Sequence, residues 1–163
     1  MKYLLKKTVL LLLLATVFIG SSSFVENKRV PPPPGTSQIV FVNYTLQQVI
    51  VTIVVKESGV PNAPTLYRWT YSVPSWGVQY TPEIPHDCTI DNRTTFFSVD
   101  WRVATPITWA SHKLTDPNGQ PVFGSVDGCK GLAYSTVRGG SGDYFTRGCG
   151  QYTYELYGSK DCQ

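Results

Sequence analysis

From Ser37 to Tyr157 the chain never settles into a 3.6-residue apolar rhythm; it runs as short β-branched and aromatic stretches punctuated by turn residues. That habit argues against helical bundles and against alternating α/β folds. Ile39–Tyr44 and Val49–Lys56 are apolar on both faces, as strands in the middle of a sheet tend to be. Leu66–Val73 alternates, with Tyr67, Trp69, Tyr71 and Val73 on one side and Arg68, Thr70 and Ser72 on the other. Further strands are expected at Gly77–Thr81, Thr94–Val103, Ile107–Leu114, Pro121–Val126 and Gln151–Tyr157. Asp116-Pro117-Asn118-Gly119 is a strong turn signal between two of them. Leu132–Arg138 and Tyr144–Gly148 read as a hairpin folded about Gly139-Gly140-Ser141-Gly142. About nine short strands at this spacing predict an all-β fold, an antiparallel β-sandwich of Greek-key or jelly-roll-like type.

The amino-terminal residues speak to compartment. Lys2, Lys6 and Lys7 precede the apolar run Thr8 to Gly20, and the small polar Ser21-Ser22-Ser23 follows. That order is the layout of a secretory signal peptide. A helix through the apolar run would reach only about 20 Å, short of a hydrocarbon core of roughly 30 Å. The expected organisation is a signal peptide over residues 1–23, a Pro-rich linker over 24–36 and a β-sandwich domain over 37–163. In the linker, Pro31-Pro32-Pro33-Pro34 forms a stiff polyproline II spacer about 12 Å long. The product is expected to be secreted, or held in the periplasm or cell envelope, with no stable membrane span once the signal is cleaved.

Charge and cysteine narrow the partners. Three of the fourteen Lys and Arg leave with the signal, so eleven cations face eleven Asp and Glu, scattered singly. No basic footprint of the kind that grips a phosphate backbone is visible, and nucleic acid is not an expected partner. Four cysteines, Cys88, Cys129, Cys149 and Cys162, in an exported chain imply two disulfides. The proposed hairpin would set Cys129 opposite Cys149 and leave Cys88 for Cys162. No close C-x-x-C pair exists, so neither a metal site nor a cofactor is expected.

Catalytic signals are weak. His86-Asp87-Cys88 places a thiol near an imidazole, but a disulfide-bonded cysteine cannot attack. Ser111 and His112 are adjacent, so on a strand they face opposite ways. Glu83, Asp87, Asp91 and Asp100 supply carboxylates for a small secreted hydrolase, the alternative function. Asp87, Asp91 and Asn92, and Asp116 with Asn118, lack the loop of a calcium site. Asn43-Tyr44-Thr45 and Asn92-Arg93-Thr94 match the glycosylation acceptor pattern, though Asn43 falls in an expected buried strand.

Aromatic residues carry the functional signal. Tyr67, Trp69, Tyr71, Trp76 and Tyr80 fall within fourteen residues. Strand faces claim Tyr67, Trp69 and Tyr71 for the core, whereas Trp76 lies in a loop between Pro74-Ser75 and Gly77. The expected function is a non-enzymatic binding or interaction module at the cell envelope. It would recognise a glycan or a protein through loop aromatics, with Trp76, Tyr80 and Tyr67 as the ligand-binding residues. A structural envelope or matrix protein is the remaining alternative.

Overall fold

A computed structural model describes residues 35–89, 93–108, 110–124 and 135–158. The expected signal peptide and nearly all of the Pro-rich linker lie outside the described residues, as do Asp91, Asn92, Cys129 and Cys162. Among the described residues the chain is all-β, with ten strands: β1 (Thr36–Tyr44), β2 (Val49–Lys56), β3 (Thr65–Val73), β4 (Val78–Tyr80), β5 (Ile84–Pro85), β6 (Phe96–Thr108), β7 (Ser111–Thr115), β8 (Pro121–Gly124), β9 (Ser135–Tyr144) and β10 (Gly150–Tyr157). No helix among them is long and apolar enough to cross a membrane.

The strands form two sheets, consistent with a sandwich. One has six strands in the order β4-β1-β10-β7-β8, with β5 also paired to β1; the other runs β3-β2-β6-β9. The expectation of a wholly antiparallel fold is corrected at one place. β1 and β10 pair in parallel, from Ser37 opposite Gly150 to Tyr44 opposite Tyr157. Parallel neighbours need a long crossover, and here almost the whole domain supplies it.

The core lies between the sheets because each strand turns alternate side chains inward. Ile39 and Phe41 from β1 meet Tyr152, Tyr154 and Leu156 from β10, all fully or nearly fully buried. Across the gap stand Val51, Ile53 and Val55 of β2 with Phe97, Val99 and Trp101 of β6. Aromatic rings fill the seam: Phe41 stacks on Tyr154 at 5.7 Å, and Phe97 meets Phe145 at 4.8 Å. Full burial of one such side chain stabilises by about 1.5–3 kcal/mol.

β9 and the disulfide both depart from the sequence-based expectation. Gly139, Gly140 and Gly142 lie inside β9, paired with β6, and not at a hairpin tip. The glycines answer to crowding. A Cβ on Gly139 would come within 2.5 Å of the Trp101 ring, and one on Gly140 within 2.4 Å of the Val99 carbonyl oxygen. Glycine in a strand often marks such a close approach. Cys149 joins Cys88, not Cys129. β5 runs antiparallel beside the start of β1, and β10 starts beside that same end, so Cys88 and Cys149 converge there.

This cross-link spans a sequence separation of 61 residues. By loop entropy it contributes about 4 kcal/mol. A digest of non-reduced protein is expected to yield the Cys88 and Cys149 peptides joined, and Cys88→Ala/Cys149→Ala should lower stability by about that amount in urea unfolding. Recovery of a Cys129–Cys149 peptide would contradict the fold.

Candidate functional site

Among the described residues, the most exposed aromatic side chain sits on a strained turn. Pro74 to Gly77 closes through Gly77 N–H donating to the Pro74 carbonyl at 3.0 Å. The third position of such a turn favours glycine when φ is positive. Here Trp76 holds it, with φ of 58°, the one non-glycine residue with positive φ among the described residues. Glycine stands one place later because a Cβ on Gly77 would approach Pro74 to 2.8 Å. Such a conformation costs about 1–2 kcal/mol and persists only where its surroundings enforce it.

Asn43 supplies that enforcement. It is fully buried near the end of β1, and its Nδ2 donates to the carbonyls of Pro74 and Gln47, each at 2.8 Å, and of Val73 at 3.2 Å. Its Oδ1 accepts from Thr45 N–H at 3.0 Å and from the Thr45 hydroxyl at 2.7 Å. Ser75 Oγ donates to the Thr45 carbonyl at 2.7 Å, which ties the 45–48 and 74–77 turns together. An amide so engaged is no glycosylation acceptor in the folded chain.

Trp76 is 56% exposed and meets Tyr44 edge-on at 5.9 Å. Tyr44 in turn stacks on Tyr157 at 4.9 Å, an overlap that the parallel β1–β10 register creates. The three rings make a platform at one end of the six-stranded sheet. The outer face beside it carries Val78 and Tyr80 from β4, and Lys113 with Glu155 at 4.0 Å. Of the residues singled out from sequence, Trp76 and Tyr80 therefore share a face. Tyr67 does not join them. It lies near the far end of β3, about 20 Å along the strand from the turn, stacked on Trp69 at 5.5 Å. Its 37% exposure follows from β3 being an edge strand, so the core covers only part of Tyr67 while Trp69 and Tyr71 pack against it.

The His86 segment has a catalytic outline. His86 Nδ1–H donates to the Asp87 carbonyl at 2.7 Å, which leaves Nε2 to accept from the Ser37 hydroxyl at 2.6 Å. A base-activated serine needs that contact. Ser37, however, is fully buried and also accepts from Gly150 N–H at 3.2 Å, so its Oγ meets no substrate. Cys149 Sγ lies 3.7 Å from the same ring nitrogen. The disulfide holds both sulfurs that a metal would require as thiolates.

Other candidates are dispersed. Ser111 and His112 occupy opposite faces, Ser111 opposite Tyr157 and His112 opposite Leu156. Asp116 is buried and holds its own turn, accepting at Oδ1 from Asn118 N–H and Gln120 N–H, with Arg147 at 3.8 Å. Asp100 projects from the four-stranded sheet, away from Glu83 and Asp87 beside the disulfide. Comparison with protein families, with curated proteins and with solved structures finds no match.

Two outcomes test this local architecture. Asn43→Ala strands several buried backbone groups and is expected to cost about 3 kcal/mol in urea unfolding. Burial against Tyr154 and Phe123 lowers the pKa of His112 below its ordinary value. The neutral ring is then favoured in the fold, so this stability is complete above about pH 6.5 and is lost as pH falls towards the folded-state value. The drop in urea midpoint between pH 7.5 and pH 5 should therefore be smaller in His112→Phe than in the parent.

Proposed function

We propose that this chain is an exported, non-catalytic binding module that takes a glycan against the Trp76–Tyr44–Tyr157 platform. The observation that carries the proposal is the combination at Trp76: high exposure, positive φ, and a buried amide dedicated to holding its turn. Strain concentrated under an exposed aromatic ring is a mark of function, because nothing in core packing rewards it. Sugar rings present apolar faces edged with hydroxyls. Indole and phenol rings offer the matching flat apolar body with a polar tip. Lys113 and Glu155 on the adjoining face supply the hydrogen-bonding groups that such a ligand needs.

Export is supported by the amino-terminal sequence pattern and by a disulfide, which persists in oxidising compartments. With Cys88 joined to Cys149, the expected Cys88–Cys162 bridge is replaced as well. The strand order is Greek-key-like in our interpretation, since the parallel closure of β1 on β10 does not suit a jelly roll.

Trp76→Ala is expected to weaken retention on the cognate neutral polysaccharide by tenfold or more, while Trp76→Phe retains most of it. Trp76→Gly serves as the folding control. It loses the ring but relieves the backbone, and should be more stable than Trp76→Ala by about 1 kcal/mol. A glycan array with no binder, or binding indifferent to Trp76→Ala, would defeat the proposal.

A further inference from the structure

The outer face of the four-stranded sheet gathers charges that are far apart in sequence. Register places Ser72, Ile50, Arg102 and Arg138 in one row, Thr70, Thr52, Asp100 and Gly140 in the next, and Arg68, Val54, Ser98 and Gly142 in the third. Between them lies a groove of about 630 Å³, lined by Arg68, Arg102, Arg138, Asp100, Thr52 and Thr70 among others. We propose that this groove binds an acidic polysaccharide, a hydroxyl-rich chain bearing carboxylates or sulfates.

The arrangement of the arginines carries the proposal. Arg102 and Arg138 sit directly opposite one another on antiparallel strands. Like charges so placed repel and destabilise a sheet unless something anionic comes between them. None of the three arginines has a carboxylate within 4.0 Å among the described residues, where Lys113 faces Glu155 and Arg147 faces Asp116 instead. All three are exposed. Just past the Arg102–Arg138 pair the β6–β9 register shifts, with four residues of β6 against one of β9. Irregularities of this sort re-aim side chains and are common beside sites. Gln47 pins the irregular segment, its amide exchanging hydrogen bonds of 2.8 and 3.3 Å with the Thr105 backbone.

Spacing and polarity choose the ligand class. Arg68 stands about 13 Å along the strands and about 10 Å across them from Arg102, so one small anion cannot satisfy all three. An extended chain with repeated acidic groups can. Guanidinium forks take carboxylate or sulfate through two parallel N–H bonds. Between the arginines, Asp100 and the Thr52–Thr70 hydroxyl pair, 3.1 Å apart, suit sugar hydroxyls. The one aromatic in the lining, Trp101, is buried and offers nucleic-acid bases no exposed stacking ring, which a saccharide does not need. The site is on the other sheet from Trp76 and does not depend on the platform there.

Affinity electrophoresis of the purified, non-reduced protein through gels containing alginate, heparin or neutral dextran tests the proposal. Single-stranded DNA serves as a competitor. Retardation by alginate, heparin or both is expected, weakening as salt rises; the pattern tells whether carboxylate, sulfate or either serves as the anion. Arg102→Gln/Arg138→Gln should weaken it at least tenfold, while the thermal midpoint of Arg138→Gln stays at or above that of the parent because a repulsion is removed. No retardation by either acidic chain overturns the proposal, as does a double variant that binds like the parent. Single-stranded DNA that competes equally would replace the saccharide with a general polyanion and overturn it too. Trp76 variants with neutral glycans read the platform separately, so the two sites can fail independently.

Discussion

The pairing of the first strand with the last is the constraint on which the domain rests. β1 and β10 lie side by side within the six-stranded sheet, and their inward residues include most of its largest fully buried side chains. Remove that ladder and Ile39, Phe41, Tyr152, Tyr154 and Leu156 lose their neighbours together. The same pairing sets the two ends of the molecule. At one end it brings Ser37, His86 and the Cys88–Cys149 bridge into contact. At the other it aligns Tyr44 with Tyr157 and plants Asn43 beneath the turn that carries Trp76.

The two faces follow different chemical rules. The platform on the six-stranded sheet is apolar surface held in place by a saturated buried amide. Precision there comes from hydrogen bonds made by Asn43 out of reach of water. The groove on the four-stranded sheet is charged and open, and its order comes from the strand register and from the Gln47–Thr105 hydrogen bonds beside it. On the proposals made above, one face takes sugar rings and the other anions.

Local pattern was enough to find much of the fold. β2 matches the expected Val49–Lys56, because β-branched density needs no distant partner to be recognised. The inward set Phe97, Val99, Trp101 and Val103 on β6 follows from simple alternation. What escaped was everything decided between strands. Gly139 to Gly142 look like a turn until the Trp101 ring and the Val99 carbonyl are seen to exclude any Cβ. The partner of Cys149 depended on which strand end it adjoined. Arg68, Arg102 and Arg138 sit singly in three strands, and only the sheet makes them neighbours. Trp76 was legible as a loop aromatic, but Tyr44 and Tyr157 complete its cluster through a ladder joining residues 113 positions apart, as between Ser37 and Gly150.

The parallel ladder also has a mechanical meaning. β1 enters the sheet at Thr36 and β10 leaves it at Tyr157, at opposite ends of the shared register. Tension drawn between those points runs along the strands and slides one past the other. The rungs from Ser37–Gly150 to Tyr44–Tyr157 then share the load and must yield together, where an antiparallel hairpin pulled at its ends would unzip one rung at a time. A domain tethered at one terminus and dragged at the other by flow or by a moving partner is, on this geometry, built to resist shear.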